Sequence, residues 1–143
     1  LIIDYNNLGR VQHVMMLYQK SLESYQVSLD LCGKHLPSNH PYVATLYNNM
    51  GSVFLDMDGE DDKAMQYFEK ALIIRIDKFG ENNSSVAMVY NNIGILYQMN
   101  GDKQNALLYL RKAKSIFEAT LGKEHPNIKS VQKSIDKVLS LPD

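Results

Sequence analysis

The stretch LYNNMGSVFLDMDG, Leu46 to Gly59, decides how the chain folds. Apolar residues recur at helical spacing through it, yet Asn48-Asn49-Met50-Gly51 interrupts the run with two amides and a glycine. Glycine inside a helix costs about 1 kcal/mol relative to alanine, so something must offset it. The same quartet stands upstream as Asn6-Asn7-Leu8-Gly9 and downstream as Asn91-Asn92-Ile93-Gly94. Three copies in register at near-constant spacing are an internal repeat.

Working outward, the second unit continues Phe54, Gly59, Ala64, Phe68, Ala71, and the third continues Tyr97, Gly101, Ala106, Leu110, Ala113. Each unit reads as two amphipathic helices joined by a turn. Asn100-Gly101-Asp102 offers a helix stop and then a capping carboxylate, and Asp58-Gly59 does the same one unit earlier. The paired alanines put small side chains on one face of the second helix. Gly51 and Gly94 remove a Cβ from the first, so the two axes can approach closely and bury their larger neighbours. Unit boundaries carry Asn39-His40-Pro41 and Glu124-His125-Pro126, with proline where a helix begins and its missing N–H is not needed. His40 and His125 read as helix caps, and Asn83 before Ser84 replaces them at the middle boundary. The first unit departs from the pattern: Met16 stands in place of the turn glycine, and Ser21 and Ser28 replace the alanines.

Composition sets limits on function. The chain has 143 residues, 45% hydrophobic and 22% charged, the balance of an ordinary globular protein. A net charge of −1 lacks the basic excess of a dedicated nucleic-acid binder. Residues 101–143 nevertheless hold eight basic against five acidic side chains, and residues 56–81 hold eight acidic against four basic. Cys32 is the single cysteine, which excludes an intrachain disulfide and fits a small buried hydrophobe in a reducing, cytoplasmic setting. No apolar run is long enough to span a bilayer. Residue 1 is Leu within an apparent helix, so the sequence reads as a segment of something longer.

The pattern Asn-Asn-apolar-Gly, aromatic, Gly, Ala, aromatic or Leu, Ala, then Leu121-Gly122-Lys123-Glu124-His125-Pro126 resembles the tetratricopeptide repeat in the longer form found in kinesin light chains. The resemblance implies an all-α fold, a right-handed α-solenoid of helix-turn-helix repeats. On that basis a single domain spans 1–143, with repeat one at 1–36, repeat two at 40–79, repeat three at 83–122, and a closing or truncated helix at 126–139. In that last helix Lys133-Ser134-Ile135-Asp136 replaces the amide quartet.

At about 100° per residue, Leu46, Met50, Val53, Phe54 and Met57 share the packing face, while Thr45, Asn49, Ser52 and Asp56 share the other. In the third unit Val89, Ile93, Leu96 and Tyr97 pack, and Met88, Asn92, Ile95 and Met99 lie opposite. The resemblance implies that the first helices line a concave groove. The candidate peptide-binding residues are therefore Asn7, Arg10, Asn49, Ser52, Asp56, Asn92, Ile95 and Met99. An asparagine amide pairs with both the N–H and the C=O of a peptide, which suits capture of main chain, and Ile95 with Met99 offers an apolar anchor point. The edge amides Asn6, Asn48 and Asn91 can equally bond to a neighbouring helix and hold the repeats in pitch.

Chemistry-bearing motifs are absent. The acidic run Asp56 to Asp62 fails the calcium-loop pattern, because Asp61 stands at the sixth position and Tyr67 at the twelfth. No phosphate loop, nucleophile motif or paired-cysteine site is present, so no catalytic residue, metal or cofactor is expected. The expected role is a non-catalytic module that binds a protein or peptide, with neither nucleic acid nor membrane as partner. Two rivals are a structural segment docked by its second helices inside an assembly, and the regulatory arm of a multidomain enzyme.

Overall fold

The computed structural model describes residues 1–143 as seven α-helices without strands. They are α1 (Ile2–Val14), α2 (Tyr18–His35), α3 (Pro41–Asp56), α4 (Asp61–Phe79), α5 (Ser84–Met99), α6 (Lys103–Leu121) and α7 (Pro126–Leu139). The chain forms two compact units, Leu1–Ile74 and Arg75–Asp143, that meet within α4.

Helix starts follow the capping chemistry of the sequence. His40 Nδ1 accepts the Tyr42 N–H at 3.0 Å, and His125 Nδ1 accepts that of Asn127 at 3.1 Å, each with proline next in the chain. Asn83 Oδ1 caps α5 through Ser85 N at 2.8 Å, and Asp102 Oδ1 caps α6 through Asn105 N at 3.1 Å. These bonds satisfy amide groups that a bare helix end leaves unpaired.

In the first unit Leu46, Met50, Val53 and Phe54 of α3 are buried, together with Tyr25, Cys32, Ala64, Phe68 and Ala71. The quartet glycines explain this packing. A Cβ on Gly51 would lie 2.6 Å from Phe68 Cε1, and one on Gly9 would lie 2.6 Å from Tyr25 Cε1. An aromatic ring thus rests on bare backbone in both repeats.

A second recurrence accompanies the first. Tyr67 stacks on Phe54 at 5.3 Å between centroids and tilts against Tyr47 at 5.9 Å, and Lys70 Nζ stands 4.9 Å from its centroid. In the second unit Tyr109 stacks on Tyr97 at 5.6 Å and tilts against Tyr90 at 5.7 Å, with Lys112 Nζ 5.6 Å from its centroid. Such ring pairs, with a cation over one face, add to burial and fix the rotation of one helix on the other. Repeat one has no such rings. Gln12 and Ser24 occupy the positions of Phe54 and Tyr67, and Ser24 Oγ donates to Gln12 Oε1 at 2.6 Å. Ser21 and Ser28 are fully buried, with their hydroxyls donating to the carbonyls of Gly9 and Ile2, each at 2.7 Å. Hydrogen bonds between α1 and α2 do here what methyls and rings do later.

The second unit buries Val86, Ala87, Val89, Ile93 and Leu96 of α5 against Ala106, Leu110, Ala113 and Phe117 of α6, and Ile128, Val131, Ile135 and Val138 of α7. Arg75 is buried and donates from Nη1 to Ser85 O at 2.7 Å; desolvation lowers its hold on its proton.

The turn after α1 carries strain. Met16 adopts φ +62°, the conformation that Gly101 adopts at φ +76° in the equivalent turn. Both turns close alike: Leu17 N donates to Gln12 O at 2.8 Å, and Asp102 N donates to Tyr97 O at 2.9 Å. A side chain costs energy there, and Met16 is exposed and recovers little by packing. Met16→Gly is expected to stabilise the chain by about 1 kcal/mol, read as a higher denaturant midpoint. A lower midpoint would show that the Met16 side chain stabilises the turn.

Candidate functional site

Each unit presents its candidate residues on a face that packing leaves open. On α1, Asn7 and Arg10 are exposed and border a cavity of about 460 Å³ together with Val11, Val14 and Met15. On α3, Asn49 and Ser52 are half-buried and Asp56 is exposed. The α1 and α3 faces adjoin, and two side-chain bonds link them at the same sequence separation. Asn49 Nδ2 donates to Asn6 Oδ1 at 3.0 Å, and His13 Nε2 lies 2.6 Å from Asp56 Oδ2. Ser52 turns back along its own helix and donates to Asn48 O at 3.1 Å.

Asn49 therefore spends one N–H inside the fold and keeps its Oδ1 and second N–H toward the open face. Asn6, its partner, is 7% exposed and acts as a helix-to-helix bond. Asp56 is likewise committed to His13, which makes the pair a polar step between α1 and α3.

In the second unit Met88 and Met99 are exposed, at 45% and 58%, and Asn92 and Ile95 are half-buried. Met88 and Asn92 border a smaller cavity of about 140 Å³ with Asn91, Phe117, Asn127 and Ser130. The Asn6–Asn49 bond has a broken counterpart here. By repeat register its equivalent joins Asn91 to Ser134, but Ser134 Oγ donates to Ser130 O at 3.3 Å within its own helix. Asn91 Oδ1 is left buried without a donor. A hydroxyl is too short to span the gap that the Asn49 amide crosses.

Nothing in either face is arranged for bond-making chemistry. No group of three or more His, Cys, Asp or Glu side chains is placed to hold a metal ion. The two phenols pushed up to about 12 are packing residues. Burial raises Tyr90 first, and its O–H donates to Glu81 Oε1 at 2.7 Å; Tyr25 is raised by burial, offset in part by Ser21 and Arg10. Both remain protonated donors across the physiological range. No helix is long and apolar enough to cross a membrane.

The recurring Tyr–Tyr–Lys clusters and the Asn6–Asn49 link escaped sequence reasoning. The clusters were legible, since Tyr47, Tyr67 and Lys70 recur in register as Tyr90, Tyr109 and Lys112. The link was not, because the sequence does not distinguish an amide that faces a helix from one that faces solvent.

Comparison with known proteins agrees with this architecture. A tetratricopeptide repeat family model matches residues 2–77 and 57–119. A clustered mitochondria protein homolog of Aspergillus fumigatus is 25% identical over 119 residues, 83% of this chain and 9% of that protein. The homolog of Emericella nidulans is 26% identical over 119 residues, 83% of this chain and 10% of that protein. The chain thus spans about a tenth of the curated relatives it matches. Among solved structures, BtubC (BKLC) from P. vanneervenii superposes with a TM-score of 0.84 at 25% identity, covering 96% of this chain and 55% of that one. A kinesin-light-chain-type protein of Podosopora anserina with nearly identical TPR-like repeats superposes at 0.81, with 20% identity, 96% of this chain and 64% of that one. Paired helices, glycine-mediated contacts and the family match converge, and the chain belongs to the tetratricopeptide repeat family, whose repeats generally mediate protein–protein interaction.

Proposed function

We propose that the chain is a non-catalytic, cytoplasmic scaffold segment that holds an extended stretch of a partner protein against the open faces of α1 and α3 in one unit and of α5 and α7 in the other. The observation that carries this reading is the clustering of exposed candidate residues at cavities, with Asn7 and Arg10 at one and Met88 and Asn92 at another. Amides supply donors and acceptors for main chain. Arg10 adds one charge-assisted bond, and Met88, Ile95 and Met99 supply an adaptable apolar contact. Affinity is expected to be modest, because neither face carries the buried aromatic anchors of a tight interface.

Docking through the second helices is less well supported. Ile73 on α4 and Leu108 on α6 are exposed, but they occupy non-equivalent repeat positions and so form no recurring apolar stripe.

The test is a peptide-library selection against the chain, followed by titration of the selected peptides into Asn7→Ala, Arg10→Ala and Met99→Ser variants. Because all three residues are exposed, the thermal midpoint should stay within a degree or two, while affinity for peptides seated beside them falls about tenfold. Peptides that bind all three variants as tightly as the parent, or that protect only α4 and α6 from hydrogen exchange, would overturn the reading.

A further inference from the structure

The last helix of the second unit repeats one side of α5 and reverses another. Ile128, Val131, Ile135 and Val138 stand in register with Val86, Val89, Ile93 and Leu96, and all are buried. The adjoining face of α5 carries Ala87, Tyr90, Asn91 and Gly94, against which α6 lies so closely that a Cβ on Gly94 would be 2.7 Å from Leu110 Cγ. In α7 the same four positions are Lys129, Gln132, Lys133 and Asp136. They line a cleft of about 600 Å³, closed on its other side by Lys114, Glu118 and Lys123. In position it is the seat of a helix, and in chemistry it is charged.

The charge is unbalanced toward the cation. Lys114 is paired with Glu118 at 3.5 Å, and Asp136 accepts from Gln132 Nε2 at 2.8 Å. Lys123, Lys129 and Lys133 form no ion pair, and Lys129 and Lys133 stand one turn apart on a single face. We propose that this cleft docks an acidic amphipathic helix of a partner protein. Carboxylates one turn apart on that helix meet Lys129 and Lys133, and a donor between them meets Asp136. A phosphate group offers no such donor and is repelled by Asp136. Lysines also lack the fork that fixes a phosphate bidentately. The site is separate from the α7 face bearing Ser130 and Ser134, so it does not depend on the peptide reading above.

The probe is a fluorescein-labelled synthetic helix about three heptads long, with glutamates at i and i+4 beside a leucine stripe, followed by anisotropy against the 143-residue chain. Binding should weaken as salt rises, because exposed pairs are screened. The double variant Lys129→Glu/Lys133→Glu should lose about tenfold or more in affinity, since two exposed attractions become repulsions. Both lysines are exposed, so the circular-dichroism melt should not move, and Ser130→Ala should bind as the parent does. Unchanged affinity in the double variant overturns the proposal. So does equal binding of a lysine-for-glutamate version of the helix, or a response to inorganic phosphate or phosphatidylserine vesicles where the helix gives none.

Discussion

Gly94→Leu is expected to unfold the second unit. The missing Cβ of Gly94 is what lets α6 approach α5. Even a single methyl would stand 2.7 Å from Leu110 Cγ, 2.8 Å from Cδ2 and 3.2 Å from the Leu110 backbone nitrogen. The first two contacts could relax by a rotamer change, but the third cannot, because it belongs to the α6 backbone. A leucine therefore separates the helices along their buried seam, exposing Ile93, Leu96 and Leu110 to water. The loss should exceed about 4 kcal/mol, beyond the usual range for a single substitution. Loss of amide protection across residues 84–121 in hydrogen exchange would show it. Gly33→Ala is the matched control: nothing lies within 4 Å of its added Cβ, and a helical alanine should gain up to about 1 kcal/mol. A cooperative, native-like melt for Gly94→Leu would mean that the helices do not depend on close approach.

Phe68→Ala should cost about 3–5 kcal/mol, the range for removing a buried aromatic side chain whose surroundings cannot collapse. Phe68 is 0% exposed, and its ring fills the space over Gly51. Neither neighbour can move in: Gly51 has no side chain to extend, and the flanking Ala64 and Ala71 are short and fixed on α4. Urea denaturation followed by circular dichroism gives the number. A cost below about 1 kcal/mol would mean that α3 and α4 close over the void, and that the glycine–ring contact does not set their spacing.

Most of the fold was legible because the same local physics is written three times. Gly51 and Gly94 were read as close-approach points, and the rings or branched chains opposite them confirm it. Caps at His40, Asn83, Asp102 and His125 were legible because each couples a side-chain acceptor to a helix start that the apolar spacing already marked. The candidate site was legible only as a set of positions. Helical angle puts Asn49 and Asn92 on the less apolar side of their helices, but it says nothing about an amide's partner across the next helix. Asn49 finds Asn6, and Asn91 meets only a serine. The turn at Met16 was recognised as a departure, yet its shape was not, since the left-handed backbone is held by hydrogen bonds from residues on either side. Ser21 and Ser28 looked like weakened packing because a hydroxyl in a core is costly until its acceptor is known.

That acceptor at Ser21 reaches further than the first repeat. A residue without a side chain not only admits a neighbour; it also uncovers its own carbonyl to whatever stands across the seam. Repeat register puts Ala64 opposite Gly51 and Ala106 opposite Gly94, as Ser21 stands opposite Gly9. Alanine and serine are thus interchangeable solutions at this contact, one apolar and one polar, and drift between them along the array can retune how tightly each helix pair is clasped without altering its shape.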